Sequence, residues 1–290
     1  MTTIKEIQVA NYLTKTAVPA GDYAINPYVG CTHKCIYCYA DFMKRITRHR
    51  EAWGFFLDVK RCKKPLSAKA LAGKKVIISS VTDAYNKHEE KYRVTRGILE
   101  QLAVMENTRV TVLTKSSLVL RDMDLFKKMK QVEVAFSMNT LDDTFRRQTE
   151  SAASSIGGRV GALKELHANG IRTCLFQSPM FPGITGFKEI IGATRDFVDE
   201  YWFENLNLYP SVAKIVLGYI AVKHPQLSGL YKEIYADKNI SYWVGLEREI
   251  IEYCRAQGLN YRMYFYHSKI RKTAIARGSA LKKDLSGERQ

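Results

Sequence analysis

Six short runs rich in β-branched and aromatic residues, set among amphipathic stretches, constrain this chain more than any other feature. The runs cover residues 23–28, 75–80, 109–114, 132–137, 171–176 and 202–208. Lacking a helical period, they read as strands buried on both faces of a parallel sheet. Helical patterns fall at residues 37–50, 91–106, 122–130, 158–168, 188–201 and 244–256, and Ala168-Asn169-Gly170 is a stop signal because Asn and Gly tolerate the left-handed conformation. Parallel neighbours need crossover connections, and those are right-handed. Strand and helix alternating six times therefore predict an α/β barrel or a doubly wound sheet. A last strand is expected at 261–266, while 211–240 is less regular and is expected as an insertion over the barrel mouth.

No linker or low-complexity tract divides the 290 residues. A chain of this size buries roughly three quarters of its unfolded surface, enough for one large core. The longest apolar candidate, residues 215–222, is far short of the roughly 18–20 needed to cross a bilayer. The start, MTTIKEIQVANYLTK, has no apolar signal core. A soluble, cytoplasmic protein is the expectation.

Three of the six cysteines crowd into Cys31-Thr-His-Lys-Cys35-Ile-Tyr-Cys38. A disulfide framework needs dispersed pairs in a short secreted chain, which this is not. Three thiolates so close suit a loop wrapped around a metal centre. An iron–sulfur cluster held by three cysteines would keep one iron open. The alternative is structural zinc, although zinc sites pair two ligand knuckles and no second CxxC or HxxxH is present. Cys174 and Cys254 read as core. Cys62, between Arg61 and Lys63, sits in a cationic field that favours thiolate.

Charge adds a partner. Lys and Arg number 45 against 29 Asp and Glu, a net +16, which favours polyanions. Residues 44–75 hold eleven Lys or Arg against Glu51 and Asp58, and residues 269–283 hold six and no acid. Aromatics toward the C-terminus (Tyr231, Tyr235, Tyr242, Trp243, Tyr261, Tyr264, Phe265, Tyr266) are candidates to stack on an extruded base or to pack the core.

The CxxxCxxC spacing, with an aromatic before the last Cys and a strand ahead of it, resembles the radical S-adenosylmethionine (SAM) superfamily. Over roughly residues 20–210, several segments resemble its spore photoproduct lyase-like branch. These are Asn26-Pro27-Tyr28-Val29-Gly30-Cys31, Cys38-Tyr39-Ala40, Ser79-Ser80-Val81-Thr82-Asp83-Ala84-Tyr85, Thr114-Lys115-Ser116, Arg121-Asp122 and the helix from Arg159 to Gly170.

The resemblance implies a partial (β/α)6 TIM-type barrel over 21–210. It leaves 1–20 as an N-terminal extension and 211–290 as a region that completes or covers the barrel and ends in a basic tail. It implies one [4Fe–4S] cluster on Cys31, Cys35 and Cys38, with SAM on its open iron. The hard chemistry would then be the cofactor's: reductive cleavage of SAM to a 5′-deoxyadenosyl radical that abstracts hydrogen. Tyr37, Ser79, Ser80, Asp83, Lys115, Ser137, Asn139 and Arg159 become SAM-facing candidates, Arg159 against the rival of a salt bridge with Glu150. Pro182-Gly183-Ile184 resembles a loop that packs on adenine. The branch's lyase returns a hydrogen atom from a cysteine after its second strand, where this chain reads Ser80-Val81. Tyr37, Tyr39 or Cys62 are the candidates for that task. The reductant would be external, a flavodoxin or ferredoxin. A nucleic-acid substrate, by lesion repair or base modification, is the leading expectation. A peptide-modifying enzyme of the same superfamily and a non-enzymatic metal-containing nucleic-acid binder are the alternatives.

Overall fold

The computed structural model describes residues 2–16, 18 and 21–265. The basic segment 269–283 and Tyr266 lie outside the described residues. Six strands form the parallel barrel wall: β3 (Tyr23–Ile25), β6 (Lys75–Ile78), β7 (Arg109–Thr114), β8 (Val132–Ser137), β9 (Arg172–Met180) and β10 (Glu200–Asn205). β11 (Tyr261–Met263) adds in parallel to β10, and β2 (Leu13–Lys15) adds antiparallel to β3, giving the sheet order β11-β10-β9-β8-β7-β6-β3-β2. Of the barrel and the doubly wound sheet that the strand–helix alternation allows, the barrel is present, in the open partial form that the resemblance implies.

Two apolar clusters divide the work. Between sheet and helices, Val76, Ile78, Val110, Val112, Val134, Phe136, Leu175 and Phe203 meet helix residues such as Ile98, Leu99, Leu102, Leu163 and Leu166. On the helix Val94–Leu102, the positions Val94, Ile98, Leu99 and Leu102 share one buried face. Inside the barrel, alternate positions carry Ala135, Cys174, Trp202 and Tyr264 packed with Leu113 and Phe176. Below them Arg172 reaches Glu133 and Glu200 at 3.4 Å each, and Arg262 reaches Glu200 at 2.9 Å. The barrel thus closes at its floor by ion pairs and an aromatic plug, leaving its C-terminal mouth open.

Several boundaries differ from the sequence expectation. The first strand stops at Ile25, since the Asn26 side chain turns away to accept from Val81 N–H at 2.9 Å. β9 continues to Met180 and carries the Pro182 loop away with it. Residues 37–50 form no single helix: a 3₁₀ turn Tyr39–Phe42 leads into a helix Met43–Thr47, which ends at Arg48 with φ +57. Residues 211–240 are regular after all, with helices Pro210–Lys223 and Ser228–Tyr235. A second sheet was not anticipated. β1 (Thr3–Gln8) pairs in parallel with β5 (Phe56–Arg61), which pairs antiparallel with β4 (Tyr28–Val29). No helix among the described residues is long and apolar enough to cross a membrane.

Candidate active site

The cysteine loop leaves β4 through Gly30, whose φ is +86 and where a Cβ would lie 2.3 Å from the Phe56 carbonyl oxygen. Glycine alone lets the loop lie flat on β5. On its other side Ile36 N–H donates to Thr149 O at 3.0 Å, and Ala152 N–H donates to His33 O at 3.1 Å. Cys38 stands at the start of the 3₁₀ turn in an extended conformation. Cys31 is buried, Cys35 and Cys38 are half-buried, and all three line one cavity at the barrel mouth.

Burial pushes each of these thiols up to about 12. Such thiols are inert by themselves. A site that buries three of them in one loop becomes favourable when a metal centre takes the thiolates. The donor set therefore fits an iron–sulfur cluster with three protein ligands. His33 does not join the three cysteines in a single-ion site: among the described residues, no group that includes any of these four brings three ligand atoms within 4.8 Å of one another.

The cavity has a volume of about 500 Å³, within the roughly 300–1,000 Å³ typical of small-molecule sites. It sits where α/β barrels place their sites, at the C-terminal strand ends. Tyr37, Tyr39, Ser79, Ser80, Asp83, Lys115 and Ser137 all line it. Asp83 accepts from Thr114 Oγ1 at 2.8 Å and from Lys115 N–H at 2.7 Å, so it ties the end of β7 to the loop after β6. Ser79 has φ +77, and its Oγ accepts from Ala84 N–H at 2.7 Å. The Tyr39 hydroxyl donates to the Ser80 carbonyl. Lys115 Nζ donates to Ser137 Oγ at 2.8 Å. Burial alone would lower the Lys115 ammonium, but Glu150, the Cys35 sulfur and Asp83 outweigh it and hold the pKa above the ordinary value. Lys115 is thus a fixed cation in the cavity wall. Tyr37 donates to Glu150 and sets its ring edge-on to Phe181 at 5.6 Å.

Other candidates are elsewhere. Arg159 is fully buried and does not line the cavity: it pairs with Glu150 and donates to Ser137 O at 2.8 Å and Ser154 O at 3.0 Å. It is the salt bridge, holding the carboxylate that holds Tyr37. Asn139 is buried behind the wall with its Nδ2 on Pro179 O at 3.1 Å. Cys62 lies past the end of β5, away from the cavity, with its Sγ 3.4 Å from Lys64 O. Gly183 and Ile184 line a separate cleft. Of the C-terminal aromatics, Tyr231, Trp243 and Phe265 are core, while Tyr264 lines the cavity beside Trp202 and Phe176. Glu204 is the residue sequence reasoning missed. It projects into the cavity, accepts from Ser178 Oγ, and sits where the β9–β10 register slips between Phe203 and Asn205.

A three-thiol loop and a fixed ammonium sharing one cavity at the mouth of an open parallel barrel define a class of enzyme built around an iron–sulfur cluster and a small cofactor that carries a carboxylate. The chain belongs to the radical SAM superfamily, whose family model matches residues 25–192. Enzymes of this superfamily use a [4Fe–4S] cluster and SAM. An uncharacterized protein of Methanocaldococcus jannaschii is 38% identical over 72% of this chain and 79% of its own length. An uncharacterized protein of Mycobacterium bovis is 26% identical over 73% of this chain and 67% of its own. Among solved structures, spore photoproduct lyase with bound AdoMet and dinucleoside spore photoproduct superposes with a TM-score of 0.57 at 16% identity, covering 77% of this chain and 67% of that one. SuiB of Streptococcus suis bound to SAM gives a TM-score of 0.54 at 16% identity over 85% of this chain and 50% of that one. These two likenesses are of fold.

Proposed function

We propose that Cys31, Cys35 and Cys38 hold the cluster, that Lys115 and Ser137 bind SAM beside it, and that the substrate is a nucleic acid. The cluster these cysteines would hold, given one electron, would supply the reductive cleavage of SAM to methionine and a 5′-deoxyadenosyl radical. Lys115 offers its ammonium to the SAM carboxylate. Tyr37, pinned by Glu150, packs on the adenine end. Ser79, Ser80 and Asp83 shape the facing wall. No cysteine beyond the three ligands lines the cavity among the described residues. Tyr39, whose phenol faces it, is the group placed to return a hydrogen atom. The electron comes from an external flavodoxin or ferredoxin in the cytoplasm.

One observation carries the substrate class. Tyr39 and Tyr209 line the cavity; Tyr39 stacks on Phe42 with centroids 6.3 Å apart and lies tilted against Tyr209 at 5.9 Å, so the three rings adjoin in a row. The exposures of Phe42, Tyr39 and Tyr209 are 36, 41 and 38%. Large rings are rarely left open in this way, and a stack beside a basic track is how single-stranded nucleic acids are held. Lys44, Arg45, Arg48 and Arg50 follow directly, against Asp41 alone, and none of the four forms an ion pair among the described residues. Reaction at a base extruded onto this stack, as lesion repair or base modification, is the function the site supports best.

The test has two parts. Protein reconstituted without oxygen and reduced with dithionite forms 5′-deoxyadenosine, and Cys35→Ala does not. Fluorescent single-stranded oligonucleotides bind the wild type, and Tyr209→Ala weakens them about tenfold, since a base–aromatic stack contributes ~1–3 kcal/mol. SAM cleavage with no oligonucleotide binding would remove the nucleic-acid half and turn the search to peptides.

A further inference from the structure

Above the aromatic plug, neighbouring strands each bring one polar side chain to the cavity: Lys115 just past β7, Ser137 on β8, Ser178 on β9 and Glu204 on β10. The hydrogen bonds between them run one way. Lys115 Nζ donates to Ser137 Oγ at 2.8 Å, Ser137 Oγ donates to Ser178 O at 3.1 Å, and Ser178 Oγ donates to Glu204 Oε2. A hydroxyl has a single proton to donate, so both serines have committed theirs inside the row. The row therefore starts at an ammonium and ends at a carboxylate.

The carboxylate end is open. The β9–β10 register passes from Gln177 opposite Phe203 to Met180 opposite Asn205, so Ser178 and Pro179 together face Glu204, and this bulge sets the Ser178 hydroxyl on the carboxylate. Glu204 is half-buried, yet it forms no ion pair and no donor reaches its Oε1 among the described residues. Two residues back on the inward faces of the same strands stand Phe176 and Trp202, so the wall below it is aromatic. The hydroxyl of Tyr39, on the same cavity, is committed to the Ser80 carbonyl. A ligand lying here meets a flat apolar wall and an edge made of acceptors.

A carboxylate offers two oxygens side by side and matches two parallel N–H donors. Oε2 keeps a lone pair after accepting from Ser178, and Oε1 is open. Enzymes that act on an extruded base read its Watson–Crick edge by hydrogen bonds and stack the base on aromatic side chains. On that edge guanine alone carries adjacent donors, its ring N1–H and its amino group. Adenine and cytosine set an acceptor nitrogen beside their amino group. Thymine and uracil flank a single N–H with carbonyls on both sides, which a carboxylate repels. We propose that Glu204 is the specificity-determining residue of this cavity and that the base it selects is guanine, an inference that rests on the nucleic-acid reading above.

The experiment measures binding of fluorescent single strands to the cluster-reconstituted protein with SAM present and no reductant, so that nothing turns over. Plain thymine tracts are compared with tracts that carry one central guanine, hypoxanthine or adenine. Hypoxanthine is guanine without the amino group, so it keeps one of the two donors. The guanine strand should bind the wild type about tenfold tighter than the plain tract, as a bidentate contact to a base allows, with the hypoxanthine strand between them. In Glu204→Gln the side chain presents one acceptor and one donor, which matches adenine, so the preference should pass from guanine to adenine. Equal binding of all strands by the wild type, or a preference for another base, overturns this inference and leaves the nucleic-acid reading standing. No binding of any strand overturns that reading and this inference with it. A guanine preference that survives in Glu204→Gln overturns the assignment to Glu204. So does an equal loss for every strand with the order kept, which would show a structural role.

Discussion

Two carboxyls near the cavity are handled in opposite ways, and side-chain identity alone could not tell them apart. Burial would raise Glu150, but Arg159, Lys115 and the Tyr37 hydroxyl outweigh it and hold its pKa below the ordinary value. Its contribution to stability is present at neutral pH and is lost as pH falls through the depressed folded pKa. Glu204 lacks such a partner. Burial raises it, and the Ser178 hydroxyl and Lys115 offset only part of that. For a carboxyl whose folded pKa is raised, stability falls as pH climbs from the unfolded value through the folded one, and the full cost persists above. Glu204→Gln keeps the hydrogen bond from Ser178 and removes the charge. Its urea midpoint should therefore exceed the wild type's at neutral pH, and the two should converge below about pH 4. Equal midpoints at neutral pH would show that Glu204 carries no such cost. The three cysteines and Lys115 were legible because motif spacing and strand-end position point to them. Arg159 was ambiguous, since sequence does not say whether a guanidinium faces a cavity or a buried carboxylate. Glu204 had only strand alternation with Trp202 to mark it.

At the scale of elements, the barrel strands were legible because each is a compact β-branched run with a helix behind it. The small sheet was not. β4 is two residues long, β1 is polar and mostly exposed, and β5 lies inside a basic segment that reads as a charge patch. β4 and β5 do bury Tyr28, Phe56, Leu57 and Val59, but apolar runs this short, set among charged residues, say little by local composition. Their contribution shows where the cysteine loop lands on β5 at Gly30. Gly30→Ala puts a Cβ into the Phe56 carbonyl and an L-residue at φ +86. Relief requires the loop to lift from β5, and the backbone conformation alone costs about 1–3 kcal/mol. The expected outcome is a lower urea midpoint together with iron content well below that of the wild type after reconstitution. Full iron loading with unchanged stability would mean that the loop does not depend on the small sheet. Gly170→Ala is the matching control. It also has positive φ, but no atom lies within 4 Å of its added Cβ and it is remote from the cysteine loop. It should therefore be destabilised while still loading iron.

At the scale of the whole molecule, a charge of +16 states only that polyanions are attracted; the fold decides where. Several arginines are already committed: Arg159 to Glu150, Arg121 to Glu89 and Asp122, Arg96 to Asp122 and Asp124, Arg172 and Arg262 to the barrel floor. These pairs hold strand ends and loops together and leave nothing for a partner. Lys44, Arg45, Arg48 and Arg50 form no ion pair among the described residues and follow Phe42 directly in the chain. Binding of a single strand should therefore depend on these four rather than on net charge. Each phosphate neutralised on a single strand contributes about −0.7 to the slope of log K against log salt. Four contacts give a slope of about −3, and the double variant Arg45→Gln with Arg48→Gln should flatten it to roughly −1.4. Replacing two exposed lysines remote from the mouth, Lys127 and Lys128, removes the same net charge and should leave the slope near that of the wild type. If both double variants flatten the slope equally, binding follows the overall field of the molecule, and the ring stack is not where the strand lies.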